Sequence, residues 1–490
     1  MPSSTHPLLR WRFHRTPLAV ALAFCCCSAA DAATILVNDA SEGSVAGKCT
    51  LADAVFAVNQ ATEKNACIAG NGSNDTIDLT FFTAPTTISF SLPSAADANS
   101  ALVLSKPSTI KAGLDASGNP LVMLTRSTVS GTPNFRLIAT SADLSIDGLS
   151  LSGGYCIERG GAIYASGPAN LSLSNSSVTG NTTGTSGGGI EANCGNITLL
   201  KSSVSGNYAH KSGGGIYATN HDTNGLCVST ISLNTSKITG NSAGIGQGGG
   251  VYSFNGNVYA YSTTVDRNRV IGGGLANGGG GLYAYFTVKV IGSTISNNYT
   301  GRITGGLQAG HYAYIANSTI YHNSVPDQNA AMDAPHVSIL FSTITSNNVS
   351  SSFYQTGGVG FGVSAHVVGS IIRSNSGDQI RRDGQILATV TGDHNVIAPP
   401  QNNNAFTTYP PDTLNCDPKL GRLGDNGGPT QTMALLDGSC ALNAGPAAAP
   451  ALFPSDQRGA KFARKVGAAV DIGPFEAQSN ERIFYDGFGI

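Results

Sequence analysis

Charge is what this chain most lacks. Only 11% of its 490 residues are Asp, Glu, Lys or Arg, well under the ~25% of an ordinary soluble domain. The formal charge is −2 and no basic stripe occurs, so nothing suggests a nucleic-acid partner. Tryptophan occurs once, and no Cys-x-x-Cys or His/Cys spacing suits a zinc site. No cofactor or metal is therefore expected. No apolar run in the mature chain is long enough to cross a membrane. A polar, weakly charged chain could be disordered, but alternating runs such as Leu144 to Leu151 recur along it and argue against that.

What the chain has in abundance is glycine, 62 residues, and a motif that repeats eight times. The motif is Ser/Thr-x-Val/Ile-x-x-Asn. Its apolar member falls at Val178, Val204, Ile238, Val265, Ile295, Ile320, Ile344 and Ile372. Three residues later come Asn181, Asn207, Asn241, Asn268, Asn298, Asn323, Asn347 and Asn375. Successive asparagines lie 26, 34, 27, 30, 25, 24 and 28 residues apart, as expected when one turn of a coil varies in length and its core strand does not. In phase with this motif runs a second one, Gly-Gly-x-apolar, at 160–163, 187–190, 213–216, 248–251 and 279–282, shortened at Gly305-Gly306-Leu307. Each coil thus carries two short β segments with a glycine corner. Repeats of this length bury an apolar face only by stacking. The fold class that follows is all-β, a right-handed single-stranded parallel β-helix with a short N-terminal capping helix.

Arg10, Arg12 and Arg15 precede the apolar run Leu18 to Phe24, and small residues follow. This reads as an export signal cleaved after Ala32. A lipoprotein reading of Cys25, Cys26 and Cys27 fails for want of a small residue before each. Seven cysteines then remain. Cys49–Cys67 and Cys416–Cys440 are the expected bridges, each closing a short loop near one end of the rod, with Cys156, Cys194 and Cys227 left open. Leu51, Ala54, Val55 and Val58 follow helical spacing behind Thr50 as N-cap, a helix placed to plug the first coil. The expected divisions are 1–32 signal peptide, 33–100 N-terminal cap and first coils, 101–400 β-helix, 401–476 C-terminal cap region and 477–490 tail.

The stretch Lys48-Cys49-Thr50-Leu51-Ala52-Asp53-Ala54-Val55, with Asn74 to Leu79 downstream, resembles the CSLREAI-type segment that opens many secreted bacterial β-helix proteins. Ala52 and Asp53 replace its Arg-Glu pair. Leu423 to Thr432, Asp456-Gln457-Arg458-Gly459 and Asp471 to Glu476 are similar to the C-terminal region those proteins share. The central repeats resemble those of polymorphic outer-membrane proteins, with Val or Ile in place of Phe. These resemblances imply a secreted or surface-exposed β-helix associated with adhesion, and no catalytic activity. The sequence departs from the outer-membrane family in that too little chain follows the rod for the translocating barrel. The tail 481–490, ending Asp486-Gly487-Phe488-Gly489-Ile490, resembles short endings of some secreted bacterial proteins and has the apolar residues to dock as a final strand.

Three columns are candidates for function. The asparagine column is read as a structural ladder. The residues after each Gly-Gly-x-apolar unit, Tyr164, Glu191, Tyr217, Tyr252, Tyr283 and Gln308, should turn outward. Their four tyrosines, Tyr164, Tyr217, Tyr252 and Tyr283, could form a cross-coil ladder or a platform on which sugar rings stack. The third column, two residues before each asparagine, is Ser or Thr except at Asp266, Tyr321 and Arg373. Asp266 with Arg267, and Tyr321 with His322, make the best catalytic grouping of the rod, but they offer one carboxylate where a glycosidase needs two. Asp378, Arg381, Arg382 and Asp383 read as a salt-bridged terminal loop. The favoured function is a non-catalytic, adhesin-like or glycan-binding protein, secreted or at the cell surface, with a neutral glycan or cell-surface ligand as partner. The alternative is a polysaccharide lyase or glycoside hydrolase on the same fold, and no catalytic residue is assigned.

Overall fold

The computed structural model describes residues 31–220, 227–272, 278–350, 356–382, 389–399 and 409–478. One coil shows how the chain turns. Ile163–Ala165 leads into Leu171–Ser174, whose leucines point inward and serines outward. Asn175 then takes a left-handed conformation (φ 48°), and the chain turns into Ser177–Thr179. A second left-handed residue, Gly180 (φ 64°), turns it into Thr182–Thr183 before the next glycine corner. Each full coil here therefore has four β segments. The sequence reading gave two, because only two carry a distinctive motif.

Equivalent segments of successive coils pair in parallel: Ile163 with Ile190, Leu171 with Ile197, Val178 with Val204 and Thr182 with Tyr208. Among the described residues the Val178 ladder has twelve strands and the Thr182 ladder eight. The other two merge into one 22-stranded sheet because Met332–Leu340 and Val359–Val368 each run through both ladders. The architecture is a parallel β-helix, whose crossovers take the right-handed sense that strand twist favours.

Val178, Val204, Ile238, Val265, Ile295, Ile320, Ile344 and Ile372 stand opposite one another in sequence order, all fully buried. Two glycines at each corner do different jobs. The first, as at Gly213 (φ 61°), takes a conformation costly for other residues. The second lets coils approach: a Cβ on Gly214 would fall 2.3 Å from the carbonyl oxygen of Gly249 in the next coil.

At the N-terminal end, Leu51–Gln60 forms the one helix among the described residues. The Thr50 side chain accepts from the Asp53 N–H, and Leu51, Ala54 and Val58 are buried. Cys49–Cys67 closes the loop around it, Cys416–Cys440 staples the C-terminal region, and Cys194 pairs with Cys227. Among the described residues Cys156 is a free, buried thiol. The C-terminal region does more than cap. It lies along the flank of the motif ladder, where Thr430 Oγ1 donates to Gly292 O (3.1 Å), Gln457 bonds Thr294 and Thr319, and Gly473 N donates to Gly369 O (2.8 Å). Beside its apolar cluster of Ala434, Leu435, Ala441, Ile472 and Phe475, this region buries Arg458, paired with Asp456 at 2.7 Å and held between the rings of Phe462 and Phe475.

Candidate functional site

The asparagine column leaves nothing for a ligand. From Asn181 to Asn375 each Nδ2 donates to the Oδ1 of the next asparagine at 2.8–3.0 Å, and that Oδ1 also accepts the backbone N–H of the residue before it in the ladder. Nδ2 spends its second hydrogen on a core-strand carbonyl, as in Asn268 to Ile238. The ladder ends on Gln379 Oε1. A second ladder escaped the sequence reading although its residues open the repeat motif. Ser176, Ser202, Ser236, Thr263, Ser293, Ser318, Ser342 and Ser370 each accept a backbone N–H from the preceding coil, and each donates to the carbonyl two residues earlier in its own coil.

Asp266 is engaged in the same way. Its carboxylate accepts from Arg267 Nε (2.6 Å), Ser296 Oγ (2.8 Å) and Asn297 Nδ2 (2.8 Å). A carboxylate so fully bonded ties one coil to the next, and Tyr321 stands two rungs away as the register requires. Asp378 is buried, and Arg381 and Arg382 lie in the strand Ile380–Arg382, paired with Val359–Phe361. The expected terminal loop is thus a last rung. Asp383 and the tail 481–490 lie outside the described residues.

The tyrosine column does form, with Tyr164, Glu191, Tyr217, Tyr252, Tyr283 and Gln308 in register. Its middle is packed. The Tyr217 and Tyr252 rings lie 5.3 Å apart and Tyr252 meets Tyr283 edge-on at 4.9 Å, leaving Tyr217 9% and Tyr252 8% exposed. Burial pushes the phenols of all three above their ordinary range. A packed ring cannot also offer its face to a sugar.

The column opens at Tyr164. Upstream its register partners are Ala139 and then Val103, and these small side chains leave a groove of about 350 Å³ above the sheet. Tyr164 forms one side, with Asp97, Asn99, Ser141, Glu158 and Ser166 around the rim. Two arginines flank the ring, Arg136 at 5.1 Å and Arg159 at 5.9 Å from its centroid. Arg136 is buried. It pairs with Asp97 (3.4 Å) and donates to Ser100 Oγ (3.1 Å), the Arg159 carbonyl (2.9 Å) and Cys156 Sγ (3.1 Å). Arg159 lies 3.8 Å from Glu191, whose carboxyl is 1% exposed and has an Oε2 without a partner. Burial pushes Glu191 up to about 8, outweighing both arginines. Two acids, Asp97 and Glu158, and two bases, Arg136 and Arg159, line the groove. Sequence reasoning picked out Tyr164 and Glu191 from the repeat. It missed Asp97, Arg136 and Arg159, which belong to no repeated motif.

No group of His, Cys, Asp and Glu among the described residues could hold a metal ion. No helix among them is long and apolar enough to cross a membrane. The chain matches no protein-family model, no curated protein and no solved structure. Its fold and its surface chemistry are therefore the basis for function.

Proposed function

We propose that this is an exported β-helix protein of the cell surface or extracellular space that binds a neutral glycan through the Tyr164 groove without altering it. Three disulfides support an oxidising compartment. The observation that carries the binding reading is the groove that the half-buried Tyr164 lines, with a rim of Asp, Asn, Ser and Arg. Sugars are held by stacking on one face and by hydrogen bonds to their hydroxyls. Balanced charge around the groove suits an uncharged ligand. The test is titration calorimetry with neutral oligosaccharides on the exported chain. Binding should change little between 50 and 500 mM salt, and Tyr164→Ala should weaken it at least tenfold with the β-rich circular dichroism unchanged. Binding that survives Tyr164→Ala, or collapses with salt, overturns the reading.

The hydrolase alternative draws on one observation, a carboxyl held protonated at neutral pH beside a groove with two further carboxylates. Against it, Glu191 is too buried to reach a glycosidic oxygen. Release of reducing ends that is abolished by Glu191→Gln would favour the enzyme.

A further inference from the structure

The adjacent face of the rod, around Lys289, carries a second set of rings, of which Tyr285 and Tyr312 are exposed and Tyr259, Tyr261 and Tyr314 half-buried. On the ladder through Gly256–Tyr261, Thr287–Ile291, Tyr312–Ala316 and the second half of Met332–Leu340, one outward column reads Tyr259, Lys289, Tyr314 and Ser338. The column beside it reads Asn257, Thr287, Tyr312 and His336. Tyr259 and Tyr314 stand two rungs apart, ~10 Å, with Lys289 between them. The lysine Nζ lies 5.4 Å from the Tyr314 ring centroid and 5.8 Å from that of Tyr261.

Two banks bound this strip. On one side Tyr285, Phe286 and His311 form a ring cluster with centroids 5.1–5.6 Å apart, and Tyr285 and the neighbouring Tyr312 are 47% and 40% exposed. On the other, Phe453 and Val470 of the C-terminal region pack against Ile291, Ala316 and Leu340 and reach Tyr314. None of the outward positions named on these rungs is acidic, and Lys289 makes no salt bridge among the described residues.

We infer that the Tyr259–Lys289–Tyr314 strip binds an anionic polysaccharide, one carrying carboxylates on its sugar rings, laid along the rod axis. The two tyrosines stand ~10 Å apart along the rod, so their rings can meet different sugars of one chain. The lone cation between them then meets an acid on the intervening unit. The ring faces supply sequence-tolerant affinity, and the unpaired lysine supplies selectivity for charge. Amide, hydroxyl and imidazole groups from the half-buried Asn257, Thr287 and His336 lie beside the strip. Such a surface suits a hydroxylated polymer better than a lipid tail or an apolar peptide face.

The strip is independent of the Tyr164 groove, and the experiment keeps the two apart. Polygalacturonate and its fully methyl-esterified, uncharged form are titrated into the exported chain at 50 and 500 mM salt. Wild type should bind the acid form about tenfold more tightly than the ester at low salt and lose that preference at high salt. Lys289→Ala should erase the preference while ester binding is retained, and Lys289→Arg should keep it. Tyr314→Ala should weaken the acid form, while Tyr164→Ala should leave the low-salt preference for acid over ester unchanged. Equal binding of acid and ester by wild type, or an unchanged preference in a folded Lys289→Ala, overturns the inference. So does binding of anionic phospholipid vesicles with none to either polymer.

Discussion

The asparagine column and the tyrosine column are both built by placing one residue type at one position of successive coils, yet they end in opposite states. Asparagine has two donors and an acceptor that takes two bonds. Stacked at the coil spacing, each amide satisfies its neighbours and the carbonyls beside them, so the column is complete. Tyrosine stacks by ring contact, which saturates only where rings follow one another. Where Glu191 interrupts the column, Tyr164 keeps a free side, and the small Ala139 and Val103 beyond it leave room for a ligand. An unbroken ladder is structural, and a binding site arises where the ladder is interrupted.

The sharpest way to break this comparison is Asn268→Ala. It strips partners from the buried Asn241 N–H, Asn241 Nδ2 and Ile238 carbonyl together. At about 1–3 kcal/mol per orphaned group the loss should be roughly 3–9 kcal/mol, read as a lower urea midpoint. A change under about 1 kcal/mol would mean that water replaces the ladder freely. Tyr252→Ala comes next, with an expected loss of about 2–4 kcal/mol because it removes a ring packed on two sides. If stability is untouched, the middle of the column is free after all and becomes available as a platform. For the same reason a combined change of Tyr217, Tyr252 and Tyr283 cannot report on binding alone.

Glu191→Gln probes the interruption itself. The Glu191 carboxyl, pushed from 4.5 up to about 8, keeps its proton in the fold where the unfolded chain has released it. The folded state then binds more protons between pH about 4.5 and 8, so this residue's contribution to stability falls as pH rises through that window. Glutamine should remove that slope and leave the variant more stable than wild type at pH 8 by on the order of 1–3 kcal/mol. Glu476, pushed up to about 7 by burial and by Asp471, slopes the same way in both proteins and cancels in the difference. Parallel pH profiles of wild type and variant would show that Glu191 is ionised in the fold. The smallest effect on stability belongs to Tyr164→Ala, within about 1 kcal/mol for a partly exposed ring. A loss as large as that at Tyr252 would place Tyr164 in the ladder and take away the binding site.

Much of the fold was legible because a solenoid writes each of its contacts many times. The apolar column, the asparagine ladder, the capping helix behind Thr50 and both terminal disulfides could be placed from spacing alone. Contacts between coils outside the repeated motifs were not legible. Asp97 and Arg136 come from different coils outside the repeat and meet only when those coils stack. The Lys289 strip is hidden for another reason: the Leu171–Ser174 ladder to which its strand belongs carries no fixed glycine or asparagine to mark its register. Asp266 looked chemically exceptional in a Ser/Thr column, and its three donors became visible only in three dimensions.

By itself, then, the sequence determined the coil, its period and the direction in which each side chain leaves the strand, since these follow from alternation and turn chemistry within one repeat. Whether an outward residue meets solvent or a neighbour was decided by the tertiary structure alone. Tyr252 and Tyr312 both leave a strand on its outer side, and one is 8% exposed and the other 40%. The difference lies in the rings stacked above and below, which are contributed by other coils, and exposure is a property of that stack.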